Sequence, residues 1–221
     1  MKTQTILSFL LSILLTVSVP NLIAKEIIKD ENIFIQKFTE AMKANDHTRM
    51  KELVKKAEFV VYKTVISQAE KGIRSVVEGK DGSEYFNLAE SIAAIYTMES
   101  KKEGLLKLVR KYRVYDKAMC EEKLKGDALI DEGFVFYKKG KLEEALSSWK
   151  EALKIFENLV DLNGKSRALN NIAVVYDQFG QHDKTLSYYQ QGLEITRMAD
   201  NKWVEATILI NIGEIYWAIS K

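Results

Sequence analysis

From the sequence alone we expect an all-α protein, built as a curved solenoid of stacked helix hairpins. The chain has 221 residues and one proline, Pro20, so no proline interrupts the helices that follow it. Apolar residues make up 47% and charged residues 29%, which is typical of a folded protein rather than a disordered one. In the second half of the chain, particular residue types recur at an interval of forty residues, which indicates a repeat architecture.

Residues 1–24 have the organisation of a secretory signal peptide. Lys2 precedes the apolar run Ile6–Val17, Pro20 breaks the helix, and Ala24 provides a small residue at the cleavage position. We therefore predict export to the periplasm or the medium, with no membrane association once the signal has been removed. The alternative is an uncleaved membrane anchor, because residues 6–24 have about the length that a bilayer requires.

Residues 25–85 predict a helical N-terminal region. Phe34 and Phe38 lie four residues apart, as do Ala57 and Val61, which places each pair on one face of an amphipathic helix. The glycine-containing stretch 78–83 predicts a loop.

The repeat becomes visible when residues 126–165 are aligned without gaps on residues 166–205, and the alignment extends forty residues in each direction. A small residue recurs, with an aromatic residue three positions later and an apolar residue four positions earlier. The small residues are Ala93, Gly133, Ala173 and Gly213; the aromatic ones are Tyr96, Phe136, Tyr176 and Tyr216; the apolar ones are Ala89, Leu129, Leu169 and Leu209.

These offsets place the three residue types on one face of a helix, where the small residue lets a second helix approach. Gly140 and Gly180 can end that helix in the left-handed conformation, and second helices are expected from about Leu142 and His182. We assign residues 86–125 to a degenerate repeat and residues 206–221 to the first helix of a partial repeat.

This spacing resembles the tetratricopeptide repeat (TPR) family, strongly over residues 126–221 and faintly over 86–125. The forty-residue period is similar to that of the subclass with longer helices, as found in bacterial arrays. The resemblance implies a scaffold that binds a peptide or a partner protein along its concave side. Some bacterial arrays of this kind precede a CHAT-type protease domain, so a regulatory segment of a larger enzyme is the alternative function.

Residues of the first helices that lie outside the repeat core are expected to face the concave side. By resemblance to the family, Asn171 and Asn211 would grip the backbone of a bound peptide; the alternative is that they cap helices or pair between them. The candidate peptide-binding residues are Arg167, Asn170, Asn171, Val174, Asp177, Gln178, Asn211 and Glu214.

Features that would indicate catalysis or a cofactor are weak. Cys120 and the two histidines, His47 and His182, lack the context of a nucleophile and its base. Asn163–Ser166 resembles a phosphate loop only superficially, and we interpret it as a turn between repeats. No metal-ligand spacing stands out, and the net charge of +2 is too small to indicate nucleic-acid binding. We therefore predict a non-enzymatic protein without metal or cofactor.

The predicted final helix, within residues 203–221, is apolar around most of its circumference, whereas terminal repeats normally turn a polar face outward. We expect this helix to be covered by a second copy, by a partner, or by further repeats of a longer array. A structural assembly protein that self-associates through this helix is therefore a third hypothesis for the function.

Overall fold

The structure is a computed structural model that describes residues 28, 30–199 and 201–219. The predicted signal peptide, residues 1–24, lies outside these residues. All regular secondary structure within them is α-helical, and they contain no strand. The helices are α1 (Glu31–Lys43), α2 (His47–Lys56), α3 (Glu58–Val77), α4 (Ser83–Ser100), α5 (Gly104–Arg113), α6 (Lys117–Lys138), α7 (Leu142–Asn158), α8 (Leu162–Gln178), α9 (His182–Met198) and α10 (Lys202–Ile219).

From α4 onward, consecutive helices pack as hairpins, and the last two complete hairpins stack on each other. α4 packs against α5, α6 against α7 and α8 against α9, while contacts between α7 and α8 join the last two hairpins. α10 contacts both α8 and α9, as the first helix of a further hairpin would. Helices α7 to α10 begin twenty residues apart, and the predicted starts at Leu142 and His182 are the observed ones. The expected all-α helix-hairpin solenoid is therefore confirmed.

Turns within hairpins differ from the turn between them. Gly140 and Gly180 end α6 and α8 with φ values of +72° and +68°, in the left-handed region that glycine enters at little cost. Between α7 and α8, Val160 adopts φ +53°, a conformation that β-branched residues rarely take. The sequence predicted the two glycine turns but not the valine turn.

One predicted turn is wrong. The segment Asn163–Ser166 lies inside the first turns of α8, and the chain reverses before it, at residues 159–161. The side chain of Asp161 caps α8 by accepting hydrogen bonds from the backbone N–H groups of Asn163 and Gly164, each at 3.1 Å. Gly164 is needed for packing rather than for a turn, because a Cβ atom there would overlap the ring of Phe156.

The small residue of the repeat does allow a close helix contact in the α6–α7 hairpin. A Cβ atom at Gly133 would overlap Nε1 of Trp149, so the indole lies directly against the glycine backbone. The same indole nitrogen donates a hydrogen bond to the carbonyl oxygen of Ile130 at 3.0 Å. In the next hairpin, Ala173 is fully buried and packs in one cluster with Tyr189.

The N-terminal region consists of three helices, α1 to α3, and the predicted loop joins α3 to α4. Phe34 and Phe38 are fully buried, as the pattern indicated. α3 packs against α4, α5 and α6, and it does so through a stripe of residues spaced by four. These buried residues are Val61, Val65, Ala69 and Ile73.

Hydrogen bonds attach α5 and the residues just after it to the turn between the two stacked hairpins. Tyr112 of α5 donates its hydroxyl to Asp161 Oδ2 at 2.7 Å, and both side chains are buried. The Tyr115 hydroxyl donates to the carbonyl oxygen of Leu159 at 3.2 Å, and the Lys111 ammonium donates to that of Val160 at 2.7 Å. The turn is therefore fixed by its own two hairpins and also by side chains that lie more than forty residues earlier in the chain.

The outer face of α10 is apolar and exposed within the single chain; the prediction that a copy, a partner or further repeats cover it stays a prediction. Leu209, Ile210, Tyr216 and Trp217 are 47%, 62%, 56% and 64% exposed, whereas Ile208 and Ile215 on the opposite face are buried. Among the described helices, none combines the length and the apolar character that crossing a lipid bilayer requires.

Candidate binding groove

An open groove with a volume of about 850 Å³ runs between the N-terminal helices and the repeats. Its walls come from α3, α5, α6, α8 and α10, so it is bounded by helices that are distant in sequence. The residues that line this groove are Tyr62, Lys63, Ile66, Ser67, Glu70, Tyr112, Lys123, Phe134, Asn163, Gly164, Arg167, Asn170, Asn171, Val204 and Thr207.

The wall from α3 follows from helix periodicity. The buried stripe of α3 holds this helix against α4 to α6, and the neighbouring stripe, one residue later, faces the groove. This second stripe consists of Tyr62, Ile66 and Glu70. An N-terminal helix thus covers one side of a channel that the repeats would otherwise form alone.

The opposite wall from α8 contains three of the eight predicted binding residues, Arg167, Asn170 and Asn171. Asn211 on α10 adjoins it, since its side-chain amide donates to Asn170 Oδ1 at 3.3 Å. The other four predicted residues are not part of the lining. Val174 packs against the cluster around Ala173 and Ile208, and Gln178 and Glu214 are exposed. The Asp177 carboxylate lies 3.7 Å from His182 Nδ1.

Side-chain amides form two short chains of hydrogen bonds across the groove wall. In the first, Asn211 donates to Asn170 and Asn170 donates to Asn171 Oδ1, each at 3.3 Å. In the second, Asn163 Oδ1 accepts from the Asn201 amide at 2.7 Å and from the Tyr62 hydroxyl at 2.9 Å. The asparagines therefore pair between helices in the free protein, and Asn171 is only 6% exposed.

A cluster of charged side chains adjoins the groove, in which Lys123 and Arg167 belong to the lining and Asp127 contacts both of them. The Asp127 carboxylate contacts the Lys123 ammonium and lies 3.3 Å from Arg167 Nη1. Lys123 is only 3% exposed, and its ammonium lies 5.3 Å from the ring centroid of Tyr112, a cation–π contact that helps to offset its burial. One carboxylate thus pairs with two cations, so these three repeat residues leave one net positive charge here.

Glu70 brings a carboxylate to the lining of the groove from α3. Burial raises the pKa of Glu70 above its ordinary value, and the nearby Lys123 ammonium acts against that rise. The side chain is half-buried and lines the groove. A partner that supplied a cation to Glu70 would relieve the cost of its burial.

Sequence reasoning missed Lys123 and Glu70 as lining residues of the groove, and Asp127 as the carboxylate that contacts Lys123 and Arg167. A signal for Asp127 was present, because Asp127 and Arg167 occupy the same repeat position forty residues apart and carry opposite charges. Lys123 and Asp127 also have the spacing of an ion pair on one helix turn. Glu70 could not be found this way, since it lies outside the repeat.

The residues considered for catalysis lie on three different helices. Cys120 is buried, and burial raises the pKa of its thiol, which disfavours the reactive thiolate. His47 begins α2 and His182 begins α9. Across residues 28, 30–199 and 201–219, no group of three or more His, Cys, Asp or Glu side chains is placed to hold a metal ion.

The fold and the groove define a helix-hairpin repeat protein whose inner surface is open to a ligand. Residues 126–198, about a third of the chain, match the sequence model of the tetratricopeptide repeat, so this part of the chain consists of TPR helices. This match covers α7, α8, α9 and much of α6.

The curated proteins that the chain resembles include several that carry the name photosystem I assembly protein Ycf3. One from Prochlorococcus marinus is 40% identical over 85 residues, which cover 38% of this chain and 44% of the relative. Another, from a Synechococcus strain, is 31% identical over 97 residues, which cover 41% and 51%. The chain thus spans about half the length of the curated relatives it matches.

Proposed function

We propose that this chain is a non-catalytic interaction module that holds an extended peptide segment of a partner protein in the groove between α3 and the repeats. The observation that carries this proposal is the row of amide and charged groups along an open channel of about 850 Å³. Pockets of roughly 300–1,000 Å³ accommodate ligands of limited size, so the groove suits a peptide segment rather than a folded domain.

The chemistry of the lining supports a peptide as the ligand. An amide side chain both donates and accepts hydrogen bonds, so Asn170 and Asn171 can pair with a backbone peptide group whatever its side chain. Ile66, Phe134 and Val204 provide apolar contact beside them. A peptide would compete with the Asn170–Asn211 hydrogen bond, which at 3.3 Å is a long one and therefore a weak competitor.

The relatives support the same general class of function. Their name assigns them to the assembly of photosystem I, which is a role in bringing proteins together. We carry over to this chain only that its partners are proteins and that its role is binding without catalysis. Those relatives are not named as proteases, so they lend no support to the alternative of a regulatory segment of a CHAT-type enzyme.

Photocrosslinking from inside the groove would test the proposal. The photoreactive residue p-benzoylphenylalanine would replace Lys63 at the groove rim in one variant and Lys154, exposed on α7, in the control. We expect a discrete crosslinked partner in cells from Lys63 and none of the same mass from Lys154. Equal crosslinking from both sites would contradict binding in the groove.

Alanine variants separate binding from folding. We expect Asn170→Ala and Asn171→Ala to keep the helical circular dichroism spectrum and to weaken capture of that crosslinked partner. Lys154→Ala is the matched control on α7. If Asn171→Ala melts the protein instead, the asparagine has a structural role, and the assignment of this residue to the site is wrong.

We also propose that the chain is exported, on the basis of residues 1–24 alone. Mass spectrometry of the protein from fractionated cells would test this. The expected result is a periplasmic or secreted species that begins at Lys25. A chain that retains its first residues in the membrane fraction would favour the uncleaved anchor instead.

A further inference from the structure

A small cavity adjoins the groove, between α5 and the turns that follow α7 and α9. Its volume is about 180 Å³. Tyr62 and Asn163 line both this cavity and the groove, so the two spaces are neighbours. We call this cavity the side pocket; its apolar lining residues are Leu105, Leu108, Val160, Leu162, Met198 and Ala199.

The sequence around the side pocket leaves room for a side chain. Ala199 stands forty residues after the buried Leu159, so the turn after α9 lacks the leucine side chain that the turn after α7 has. On α5, Leu108 and Lys111 lie three residues apart, which places both on the helix face that borders the pocket. The space between α5 and the turn after α9 therefore stays open.

The rim of the side pocket is apolar and strained. Val160 is 62% exposed and Met198 is 63% exposed, although both are large apolar residues. Val160 also has a left-handed φ, the conformation for which Gly140 and Gly180 are used elsewhere in the repeats. Backbone strain of this kind costs free energy and is often found where a side chain contacts a ligand. At this position the valine adds to the pocket an apolar surface that a glycine would lack.

The polar groups of the wall are already paired. The Lys111 ammonium donates to the carbonyl oxygen of Val160 at 2.7 Å. The Tyr62 hydroxyl donates to Asn163 Oδ1 at 2.9 Å. Burial also lowers the pKa of the Lys111 ammonium below its ordinary value, which indicates that little water reaches it. A polar occupant would gain few hydrogen bonds from this wall.

The charges of the lining disfavour an ionised occupant. Of the described residues that line the side pocket, Lys107 and Lys111 are charged and none carries a carboxylate, so a lysine or arginine side chain would be repelled. Lys107 pairs with Glu103 at 2.9 Å. A carboxylate would therefore lose its hydration to a mostly apolar lining without a free cation at Lys107 in return. The chemistry selects an uncharged, apolar group.

The volume selects one side chain. An apolar cavity of about 150 Å³ in another protein holds a single benzene-sized molecule. A cavity of about 180 Å³ thus accommodates one leucine, isoleucine or methionine side chain and is too small for a helix. Since the groove next to it suits an extended segment, the side chain and the segment can belong to the same ligand.

We propose that the side pocket takes one aliphatic side chain of the peptide segment that lies in the groove, and thereby selects which partner sequences bind and in which register. This inference rests on the proposed function, because the groove holds the rest of the segment. The amides of Asn170 and Asn171 pair with peptide groups whatever the sequence. The side pocket, in contrast, distinguishes one side chain from another.

Peptide selection on the full chain tests the proposal. The probe is a random-peptide phage library selected on the immobilised protein, and the strongest peptide is then synthesised with a fluorescent label for anisotropy titration. We expect the selected peptides to share a leucine, isoleucine or methionine at one position. Replacing that residue by alanine should weaken binding to the wild type about tenfold, because it removes buried apolar surface.

Variants of the protein test the side pocket itself. Ala199→Leu introduces the leucine of the preceding repeat and fills the space, so the selected peptide should bind about tenfold more weakly. The peptide with alanine at the shared position should bind Ala199→Leu and the wild type equally, as a double-mutant cycle requires. Ala118→Leu, exposed at the start of α6, is the matched control and should bind like the wild type.

Val160→Gly separates binding from stability. This variant removes the apolar rim and also relieves the left-handed strain. We expect it to bind the selected peptide several-fold more weakly while it unfolds at the same urea concentration as the wild type or at a higher one. Unchanged binding by Val160→Gly would remove the rim from the proposed contact.

Failure of this inference and failure of the proposed function give different results. If no peptide is selected, or if Asn170→Ala does not weaken the selected peptide, binding in the groove is itself overturned. If Asn170→Ala weakens the peptide but Ala199→Leu binds it as tightly as the wild type, only the side pocket is overturned. Selected peptides that share no aliphatic position would overturn it as well.

The competing occupant is the chain's own residues 1–27, because they include an apolar run. p-Benzoylphenylalanine in place of Met198, followed by digestion and mass spectrometry, would identify what contacts the rim. We expect a crosslink to the selected peptide when it is added. A crosslink to residues 1–27 that persists at saturating peptide would assign the side pocket to that segment and overturn the proposal.

Discussion

Gly133 and Gly213 occupy the same position of the repeat, yet their surroundings differ completely. The Trp149 indole lies directly against Gly133, whereas the space in front of Gly213 is open. The leucines one turn earlier in successive repeats show the same contrast, since Leu169 is 1% exposed and Leu209 is 47% exposed. A repeat pattern therefore indicates which helix face is suited to a partner helix, but not whether the same chain supplies that partner.

The test with the largest expected effect on stability replaces Leu169 and Leu209 by aspartate, in two separate variants. Leu169→Asp places a charge in the repeat core, and we expect it to lower the free energy of unfolding by about 4–5 kcal/mol. Since single domains are stable by about 5–15 kcal/mol, most of the fold should be lost. Urea denaturation followed by circular dichroism would measure the change.

Leu209→Asp is the internal control for that experiment. The expected change in the free energy of unfolding of the monomer is about 0.5 kcal/mol or less, since the side chain already contacts solvent. A large loss for Leu209→Asp would show that the outer face of α10 is covered within the same chain.

The repeats could be predicted because their contacts join neighbouring helices. Gly140, Gly180 and the starts of α7 and α9 follow from local turn chemistry and from a spacing that is visible without a structure. The contacts that α3 and α5 make with the repeats could not be predicted in this way. Tyr112 and Asp161 meet across 49 residues, and Tyr62 and Asn163 meet across 101. No periodicity connects such pairs, because each occurs once.

Asp161 and Asn201 occupy the same position of the repeat, and each caps the first helix of its repeat, α8 and α10. Asn201 accepts a hydrogen bond from the Val204 N–H, while Asp161 caps α8 and also accepts the buried Tyr112 hydroxyl. Asp161→Ala removes the cap and leaves that hydroxyl unpaired, which should cost about 3 kcal/mol in thermal or urea unfolding.

The control for Asp161 is Asp116, an exposed cap that accepts from the Met119 N–H at 2.8 Å. Asp116→Ala should cost only about 1 kcal/mol. Equal losses at the two sites would mean that the Tyr112 hydrogen bond contributes nothing to holding α5 on the repeats.

Replacing Gly133 and Gly213 by alanine should change the free energy of unfolding in opposite directions. Gly133→Ala forces the new methyl group into Trp149 and should cost about 2 kcal/mol. Gly213→Ala meets open space inside a helix and should stabilise the monomer by about 0.5–1 kcal/mol. Both are measured as shifts of the urea midpoint in dilute solution. Destabilisation by Gly213→Ala would show that a helix already covers this position.

The groove residues could be predicted only in part, because the sequence pattern shows contacts within the repeats and does not show contacts between the repeats and the helices before them. Arg167, Asn170 and Asn171 were found because they belong to one helix of a recognisable repeat. The burial of Asn171 and its pairing with Asn170 depend on how α8 meets its neighbours, which the sequence does not show. Glu70 lies on a helix outside the repeat, so its presence in the groove follows only from the packing of α3.

The smallest expected effect on stability concerns the residue with left-handed φ in the turn between α7 and α8. Val160 has a left-handed φ like Gly140, twenty residues earlier, but it bears a β-branched side chain that is 62% exposed. The left-handed conformation costs a non-glycine residue about 1–2 kcal/mol, and glycine loses about 0.5–1 kcal/mol more backbone entropy on folding. Val160→Gly should therefore stabilise the protein by about 0.5 kcal/mol, a rise in the thermal midpoint of a degree or two.

The reverse change, Gly140→Val, should lower the thermal midpoint by a larger amount. It places a β-branched residue in the left-handed conformation, which glycine adopts there without strain. If Val160→Gly is destabilising instead, the valine side chain contributes packing that outweighs its backbone strain. The turn between hairpins would then be held by more than the hydrogen bonds from Lys111, Tyr112 and Tyr115.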